Sequence, residues 1–536
     1  MTLASKLYIL IPTTGLLNSI VMPTFLRFTF LCALSVFISF CTSPASSTEA
    51  VQAASYTEDW TSLAKNEKEP DWFKDAKLGI YFHWGVYSVP AFQSEWYPRW
   101  MYVADRGDKW GGKIYGHHQA TYGKDFNYHD FIPDFGAEQF DAAEWAELFK
   151  SAGAKFAGPV AQHHDGFAMW DSEINQWNAM DKGPGKDILG DIFSELKKRD
   201  LKTIATFHHA RLLQRNAQDS TEWAGSSINP GSGSHYPYHP DLITSTNDPE
   251  LKYLYGNIPA DEFHDYWLGQ VNEVVDKYSP DIIWFDSWLD QIPESYLRKM
   301  VAHHFNAGAA NAQEVLVAYK QEDLPANVGV LDIEQGGKKD ISDDYWLTDI
   351  TISRNSWSYI EGQTYKSPSL LIRNMIDVWS KRGIVLLNVS PMAAGVIPEE
   401  QRVVLAGIGQ WISQHAEAVY PTRPHDIFGY GLAEIKDGHF GGQAANIAYT
   451  ENDLRFTLAK DGSALYVYAL GLPPANTEME VEHILGGTKD YQVKGVSVVG
   501  SEVALDWSVE GELLKFRTPA QEEMNEIATV FRVELQ

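Results

Sequence analysis

The sequence has little cysteine and a shortage of positive charge. Its two cysteines, Cys32 and Cys41, both lie near the N-terminus, so the rest of the chain has no disulfide and no thiolate metal site. The 43 Lys and Arg residues stand against 71 Asp and Glu, which gives a formal net charge of −28 at pH 7. This charge argues against nucleic acid and anionic membrane surfaces as partners. It also disfavours attraction of a polyanionic substrate unless the site carries its own cations.

The apolar run near the N-terminus is too short to span a membrane. Residues 28–40 are largely apolar, whereas a spanning helix needs about 20 such residues. Arg27 before this run and the small residues after it predict an export signal over 1–45. A polar linker over 46–70 follows. We therefore expect a periplasmic, secreted or outer-surface lipoprotein location, with either lipid attachment at Cys41 or cleavage near Ala45 or Ala50.

Aromatic residues are abundant, and short apolar runs alternate with helical patterns. The 18 Trp and 26 Tyr exceed what a core needs, and sugar-binding surfaces are one place for the excess. Buried apolar runs between turn signals indicate parallel strands with helical crossovers. The expected strands are 78–82, 155–161, 202–207, 282–285, 315–319, 328–333, 345–352 and 384–389.

Eight such strands predict an α/β fold, a (β/α)8 barrel of the TIM type over 71–422. From Ile427 onward the pattern changes to short strand-like runs separated by turns that contain Gly and Pro. This change predicts a C-terminal antiparallel β-sandwich over 423–536. The sandwich could bind glycan or brace the barrel, and bracing is the simpler role.

Titratable residues end most of the expected strands. Each one alone has an ordinary explanation, such as a helix cap for an Asp or a solvated Glu. Independent caps would not all fall on one face of a barrel, and the carboxyl ends of barrel strands form the mouth where ligands bind. The residues at these ends are His83, His163, His164, His208, Asp286, Lys320 and Glu334.

Two carboxylates in a mouth lined by His and Trp suit the hydrolysis of glycosides. One carboxylate attacks the anomeric carbon, and the other gives and then takes a proton. Asp286, flanked by Trp284 and Trp288, is the expected ionised nucleophile. Its partner needs a raised pKa, from burial or nearby negative charge. The histidines would hydrogen-bond sugar hydroxyls, and the Trp faces would pack on the ring.

Several ordered motifs resemble the α-L-fucosidases of glycoside hydrolase family 29 over about residues 57–420. The motifs are WFKDAKLGIYFHWG (72–85), EWY (95–97), HHDGF (163–167), WFD (284–286), SWSY (356–359) and LLNVSP (386–391).

The resemblance implies a retaining exo-hydrolase that removes terminal α-L-fucose from oligosaccharides or polysaccharides through a covalent glycosyl-enzyme, without cofactor or metal. It places Asp286 at the nucleophile of the family. It also implies five sugar-binding residues, which are His83, Glu95, Trp96, His163 and His164. We add four residues to this expected substrate-binding set, which are His208, Trp284, Lys320 and Trp357.

Some positions depart from the family pattern. The family's general acid varies in placement, and Glu334 is the expected acid/base here. A common Trp-Glu pair is Trp346-Leu347 in this chain, a Tyr-Tyr pair is Phe207-His208, and Lys320 stands where an Arg contacts the sugar. These changes could accommodate a decorated fucose, so an exo-fucosidase specialised for sulfated fucan oligosaccharides is an alternative. Failure to release fucose from sulfated oligosaccharides would reject it.

Two further alternatives come from other classes. A metal-dependent hydrolase on the same barrel would use His163, His164, His208 and Asp286 as ligands, but their spacing matches no recognisable ligand motif. A non-catalytic fucose-binding protein would have kept the pocket without turnover. The presence of both Asp286 and Glu334 argues against it.

Overall fold

The computed structural model describes residues 55–104, 107, 111–214, 234–433, 436–439, 447–485, 491–501 and 503–536. The predicted export signal over 1–45, with Cys32 and Cys41, and the first part of the linker, 46–54, lie outside these residues. Among the described helices, none has the length and apolar character needed to cross a bilayer.

The first part of the chain forms a closed barrel of parallel strands in the order β1-β2-β3-β4-β5-β6-β8-β9. The short strand β7 follows β6 outside the barrel. The strands are β1 (Leu78–Phe82), β2 (Phe156–Gln162), β3 (Lys202–Phe207), β4 (Ile282–Phe285), β5 (Leu316–Lys320), β6 (Val330–Asp332), β7 (Gly336–Gly337), β8 (Trp346–Thr351) and β9 (Gly383–Val389).

The closed order of strands confirms the predicted barrel. The prediction succeeded because the strands are apolar runs that are buried on both faces. In β1, β4 and β9 every residue is buried. The expected strand over 328–333 is shorter in the structure, where β6 covers three residues and Glu334 lies in the turn after it. Strand β6 pairs with β8 at a single position, Asp332 with Leu347.

Helices connect the strands and cover the barrel. They are α1 (Trp60–Leu63), α2 (Asp71–Ala76), α3 (Tyr97–Trp100), α4 (Gly112–Thr121), α5 (Ala142–Ser151), α6 (Ile188–Lys197), α7 (Leu251–Tyr255), α8 (Ala260–Tyr278), α9 (Glu294–Ala310), α10 (Pro368–Ser380), α11 (Glu399–Gln414) and α12 (Ala416–Val419).

Helix α8 shows how the sequence sets one of these crossovers. Asp261 and Glu262 occupy its first turn and Lys277 its last, which complements the helix dipole. Ser279 ends the helix in the left-handed region at φ 47°, and Pro280 prevents its continuation. The chain therefore turns at this point and enters β4.

The C-terminal part forms antiparallel sheets, with five strands in the order β10-β12-β13-β18-β15 and three in the order β14-β17-β16. Apolar residues of both sheets, such as Phe456, Phe531 and Phe516, form one core. The strands are β10 (Thr422–Tyr430), β11 (Gly438–His439), β12 (Leu454–Ala459), β13 (Ala464–Ala469), β14 (Glu478–Val481), β15 (Val493–Val498), β16 (Trp507–Glu510), β17 (Leu513–Arg517) and β18 (Thr529–Leu535).

The C-terminal sheets pack directly on the barrel. Asp377 of α10 accepts a hydrogen bond from Arg455 Nε of β12 at 2.5 Å, and Arg373 of the same helix donates to the carbonyl oxygen of Ile527 at 2.7 Å. A second contact lies close to Glu334. There β11 pairs with β7, with Gly438 opposite Gly337.

Candidate active site

The titratable residues at the strand ends gather at the carboxyl end of the barrel. The rings of His83, His163 and His208 have centroids 4.8–5.5 Å apart. His164, Asp286, Lys320 and Glu334 join them through the ion pairs described below. The structure therefore brings together all seven residues that the sequence places at strand ends.

Asp286 lies directly after β4, with its backbone N–H donated to the carbonyl oxygen of Phe207 at 3.0 Å. Its side chain is 15% exposed and contacts Lys320 Nζ at 3.0 Å and His164 Nε2 at 3.3 Å. Burial alone would raise the pKa of Asp286, but the Lys320 charge and the His164 hydrogen bond hold it well below its ordinary value. Asp286 is therefore ionised at neutral pH.

Lys320 is shared by three carboxylates. Its Nζ lies 3.0 Å from Asp286, 2.9 Å from Glu334 and 3.2 Å from Asp349. The side chain is 6% exposed. Burial would lower the pKa of Lys320, but these neighbouring acids raise it well above its ordinary value. The resulting cation links Asp286 to Glu334, whose side chain is 32% exposed.

Asp349, the third acid paired with Lys320, lies next to a further acid, Asp332. Asp332 accepts the indole N–H of Trp284 at 2.5 Å and the backbone N–H of Asp349 at 3.0 Å. Asp349 accepts from the Tyr81 hydroxyl at 3.0 Å. Burial and the charge of Asp332 raise the pKa of Asp349 well above its ordinary value.

The histidine cluster is neutral at pH 7. Burial lowers the pKa of His83 to about 3, and burial and neighbouring histidines lower that of His163 well below its ordinary value. Asn388 Oδ1 fixes the His83 ring through Nδ1 at 2.7 Å. Nδ1 of His163 and of His208 has no hydrogen-bond partner among the described residues. Neutral imidazoles can both donate to and accept from sugar hydroxyls.

The ligand set of the metal-dependent alternative is not assembled among the described residues. The nitrogen atoms that lie within 4.8 Å of one another belong to His83, His163 and His208. His164 turns instead to Asp286, which is paired with Lys320. The spacing of these residues in the sequence could not show whether His164 faces the other histidines or Asp286, because that depends on the orientation of its ring.

Glu95, Trp96 and Trp357 form one wall near the histidines. Buried Glu95 accepts from the Ser356 hydroxyl at 3.1 Å and from the backbone N–H of Trp357 at 3.2 Å. Burial raises the pKa of Glu95. The ring of Trp357 lies 5.3 Å from that of His83, and Trp96 lies 5.1 Å from His164.

Trp284 lies lower than its position beside Asp286 suggested. Its side chain is fully buried in the barrel core and contacts the His208 ring at 5.2 Å. Lys320 Nζ lies 4.9 Å from its ring centre. Alternate residues of a strand point to the same face, so Trp284 and Asp286 both point into the barrel, and Trp284 forms the floor beneath the site. Trp288 lies beyond Asp286 in the loop.

A cavity of about 870 Å³ opens beside Lys320 and Glu334. It falls within the range of about 300–1,000 Å³ that is typical of small-molecule sites. Ser287 and Glu322 line its walls together with the carboxylate of Glu334. The open space therefore lies on the Glu334 side of the ion-pair cluster.

Several residues at the site were not predicted from the sequence. Asp349 left a signal, since it is the one charged residue in the expected strand 345–352. Asn388 lies within a motif that carries the family resemblance. Arg211 and His235 left none, because they come from a long segment without periodicity after β3.

The barrel and its mouth define a class of protein. An ionised Asp and a second carboxyl group close to it are the pair that hydrolysis of glycosides requires, and neutral histidines beside them can bind sugar hydroxyls, so the site is that of a glycoside hydrolase. A model of the alpha-L-fucosidase family matches residues 44–417. The chain belongs to this family.

Individual relatives agree with this assignment. The tissue alpha-L-fucosidase of Macaca fascicularis is 30% identical over 396 residues, which cover 70% of this chain and 75% of the relative. That of Bos taurus is 28% identical over 474 residues, covering 81% and 91%. The crystal structure of Thermotoga maritima alpha-fucosidase in complex with fucose is 26% identical with a TM-score of 0.67, and the match covers 89% of this chain and 100% of that one.

Proposed function

We propose that this chain is a retaining, exo-acting α-L-fucosidase that releases terminal α-L-fucose from glycans by double displacement. The single observation that carries this proposal is that Asp286 and Glu334 both contact Nζ of Lys320. One cation thus holds the two expected catalytic acids of a fucosidase-family barrel in the same mouth.

The spacing of the two acids favours retention of configuration. Lys320 Nζ lies 3.0 Å from an Asp286 oxygen and 2.9 Å from a Glu334 oxygen. These two oxygens are therefore at most about 6 Å apart, close to the roughly 5–5.5 Å of retaining enzymes and below the roughly 6.5–9.5 Å of inverting enzymes.

The proposed first step uses both acids. A carboxylate oxygen of Asp286 attacks the anomeric carbon, and the bond from that carbon to the leaving oxygen breaks. The carboxylic acid of Glu334 gives its proton to the leaving oxygen. Glu334 is partly exposed and borders the open cavity, so its proton can come from solvent and the cavity can hold the leaving group.

The second step restores the enzyme. The Glu334 carboxylate takes a proton from water, and the water oxygen attacks the anomeric carbon. The ester bond to Asp286 breaks and returns the ionised carboxylate. Lys320 and His164 stabilise that carboxylate in the free enzyme, which makes Asp286 a good leaving group in this step.

Replacing Asp286 by Gly tests the proposal. We expect the hydrolysis of an aryl α-L-fucoside to fall by about 10⁴-fold or more, as is found when a catalytic unit loses its nucleophile. Azide should restore turnover, because a small anion can occupy the space of the carboxylate. Rescue in Glu334→Gly that yields the β-azide, together with none in Asp286→Gly, would reverse the roles. A wild-type protein that binds fucose without hydrolysis would favour the non-catalytic alternative.

We also propose that the protein is exported. The support is the signal-like segment over 1–45, which lies outside the described residues. Cell fractionation of the wild type and of Cys41→Ser tests this. If Cys41→Ser loses a membrane association that the wild type has, lipid attachment is supported. If both proteins are equally soluble outside the cytoplasm, cleavage of the signal is supported. If both proteins stay in the cytoplasm, export is contradicted.

A further inference from the structure

Arg211 is a buried cation at the mouth of the barrel. It ends the short 3-10 turn His209–Arg211 that follows β3, and it is 7% exposed. Its guanidinium carbon lies 3.8 Å from the ring centre of Trp288 and 5.1 Å from that of Trp96. Trp288 adopts φ 90°, a conformation that bulky residues rarely accept without a functional reason.

No described carboxylate pairs with Arg211. Its Nε is buried without a hydrogen-bond partner, and no hydrogen bond or ion pair joins its guanidinium to a described residue. Asp286, the acid that acts on it through space, is already held by Lys320 and His164. Burial lowers the pKa of Arg211 to about 10, so the group still carries its charge at neutral pH.

This isolation from the described acids is unusual for a buried charge. A buried cation is destabilising unless it is paired or hydrogen-bonded, and Lys320 nearby satisfies this rule with three carboxylates. The chain has an excess of acids, with a net charge of −28, so the absence of a described partner does not reflect a lack of candidates. The Trp faces stabilise the guanidinium through cation–π contact, which does not use its N–H donors.

Apart from Asp286, the groups described around Arg211 are cationic or neutral. Trp96 also packs on His235, at 5.3 Å, and Arg99 donates to the backbone carbonyl oxygen of His235 at 2.7 Å. The barrel order places β4 between β3 and β5. Arg211 therefore lies on one side of Asp286, and Lys320 with Glu334 lies on the other.

We propose that Arg211 binds an anionic group carried by the substrate, either a sulfate ester on the fucose or the carboxylate of an adjacent uronic acid. The inference rests on the proposed function and adds a determinant of specificity to it. A guanidinium presents a planar fork of N–H donors that matches both oxyanions. The isolated cation would then acquire its counter-ion from the substrate.

The test compares substrates that differ only in charge. The pairs are an aryl α-L-fucoside with the same compound sulfated on the fucose at O2, O3 or O4, and a fucosyl-glucoside with the matching fucosyl-glucuronide. The wild type is compared with Arg211→Met, which keeps the length of the chain between the two Trp rings, and with Arg211→Lys, which keeps the charge without the fork. The readout is the ratio of kcat/KM for the anionic substrate to that for the neutral one.

We expect Arg211→Met to lower this ratio by about 10- to 100-fold for one of the pairs, in keeping with the strength of charge-assisted hydrogen bonds. Arg211→Lys should lower it by less. The pair that responds identifies sulfate or carboxylate as the ligand. If Arg211 only packs between the rings, both substrates of every pair lose activity equally, and the unchanged ratio overturns the proposal.

Failure of the proposed function is recognised separately. If the wild type hydrolyses none of these fucosides, calorimetric titration with L-fucose, its 2-, 3- and 4-sulfates, methyl glucoside and methyl glucuronide still decides the role of Arg211. Tighter binding of a sulfated or carboxylated probe that Arg211→Met abolishes supports the site. Equal binding of charged and neutral probes by the wild type refutes it.

Discussion

The loops that carry the two expected catalytic acids are built differently. Asp286 follows β4, which pairs at four positions with β3 and at three with β5, and its backbone N–H continues the ladder to Phe207. Glu334 follows β6, which pairs at three positions with β5 and at one with β8. The exposed fraction of the side chain is 15% for Asp286 and 32% for Glu334.

The turn that carries Glu334 has further support from outside the barrel. Immediately after Glu334, β7 pairs with β11 of the C-terminal part, and the Asp437 carboxylate accepts the backbone N–H of Lys339 at 2.8 Å. The barrel itself positions the nucleophile. It also holds the turn at Glu334, because the backbone N–H groups of Ile333 and Gln335 donate to carbonyl oxygens of β8 at 3.0 and 2.9 Å, and β11 adds a contact from a segment distant in sequence. The bracing role expected of the C-terminal part is thus a prediction that substitution at Gly336 tests.

Glu334→Gln should reduce activity more than substitutions at Lys320 or Gly336. The amide keeps the size of the side chain but cannot supply a proton, and general acid catalysis contributes about 10²–10⁴-fold. We expect that loss in kcat/KM on a fucosyl disaccharide, and a smaller loss on a nitrophenyl fucoside, whose leaving group needs less protonation.

The matched control is Glu322→Gln, an exposed acid on the same cavity, which should retain activity on both substrates. Equal losses on the disaccharide and the nitrophenyl fucoside would contradict the assignment of Glu334 as the general acid.

Lys320→Met should give an intermediate effect, together with a change in pH dependence. Without the cation, burial raises the pKa of Asp286. The nucleophile must be ionised, so the acid limb of the kcat/KM profile should move to higher pH, and activity at neutral pH should fall by less than in Glu334→Gln.

Stability should change in the same variant. In the wild type the pKa of Asp286 is depressed, so its contribution to stability is present above the unfolded-state pKa of about 4 and is lost as pH falls through the folded-state value. Breaking a buried ion pair costs about 3–5 kcal/mol, which urea denaturation at neutral pH would detect. Lys320→Arg keeps the charge and should preserve the acid limb. An acid limb that stays in place in Lys320→Met would refute the electrostatic role.

The sequence predicted the barrel well because the signals of buried parallel strands are local. Four consecutive apolar residues between a Pro break and Asp286 are sufficient to predict β4 and the position of its carboxylate. The same reasoning placed His83, His208 and Lys320 at one mouth, since all strands of such a barrel end on the same face.

What could not be predicted depends on contacts between distant segments. Strand β7 has two glycines and β11 two residues, too few to show any periodicity. The shared coordination of Lys320 by three acids, and the isolation of Arg211 from the described acids, follow from side-chain directions that spacing does not encode. The strand expected over 328–333 is also longer than β6. The length of a strand depends on its pairing with its neighbours, and β6 pairs with β8 at a single position.

Gly336→Ala should show the smallest effect, and it tests the support of Glu334 from outside the barrel. A Cβ at Gly336 would lie 2.2 Å from the carbonyl oxygen of Gly438 and 2.8 Å from Ile333 Cγ2, so β11 must move away from β7. Overpacking of this kind costs about 1–3 kcal/mol. Because Glu334 would lose its placement while Asp286 keeps its own, we expect kcat on the disaccharide to fall by roughly tenfold, with a smaller loss on the nitrophenyl fucoside.

The control for this variant is Gly116→Ala in α4, where a Cβ meets no atom within 4 Å. It should leave both activities unchanged. If Gly336→Ala lowers the two activities equally, the pairing of β7 with β11 supports the whole mouth and not Glu334 in particular. Full activity on both substrates would mean that the turn after β6 keeps its geometry without the C-terminal part, because a Cβ that displaces β11 would then leave the acid in place.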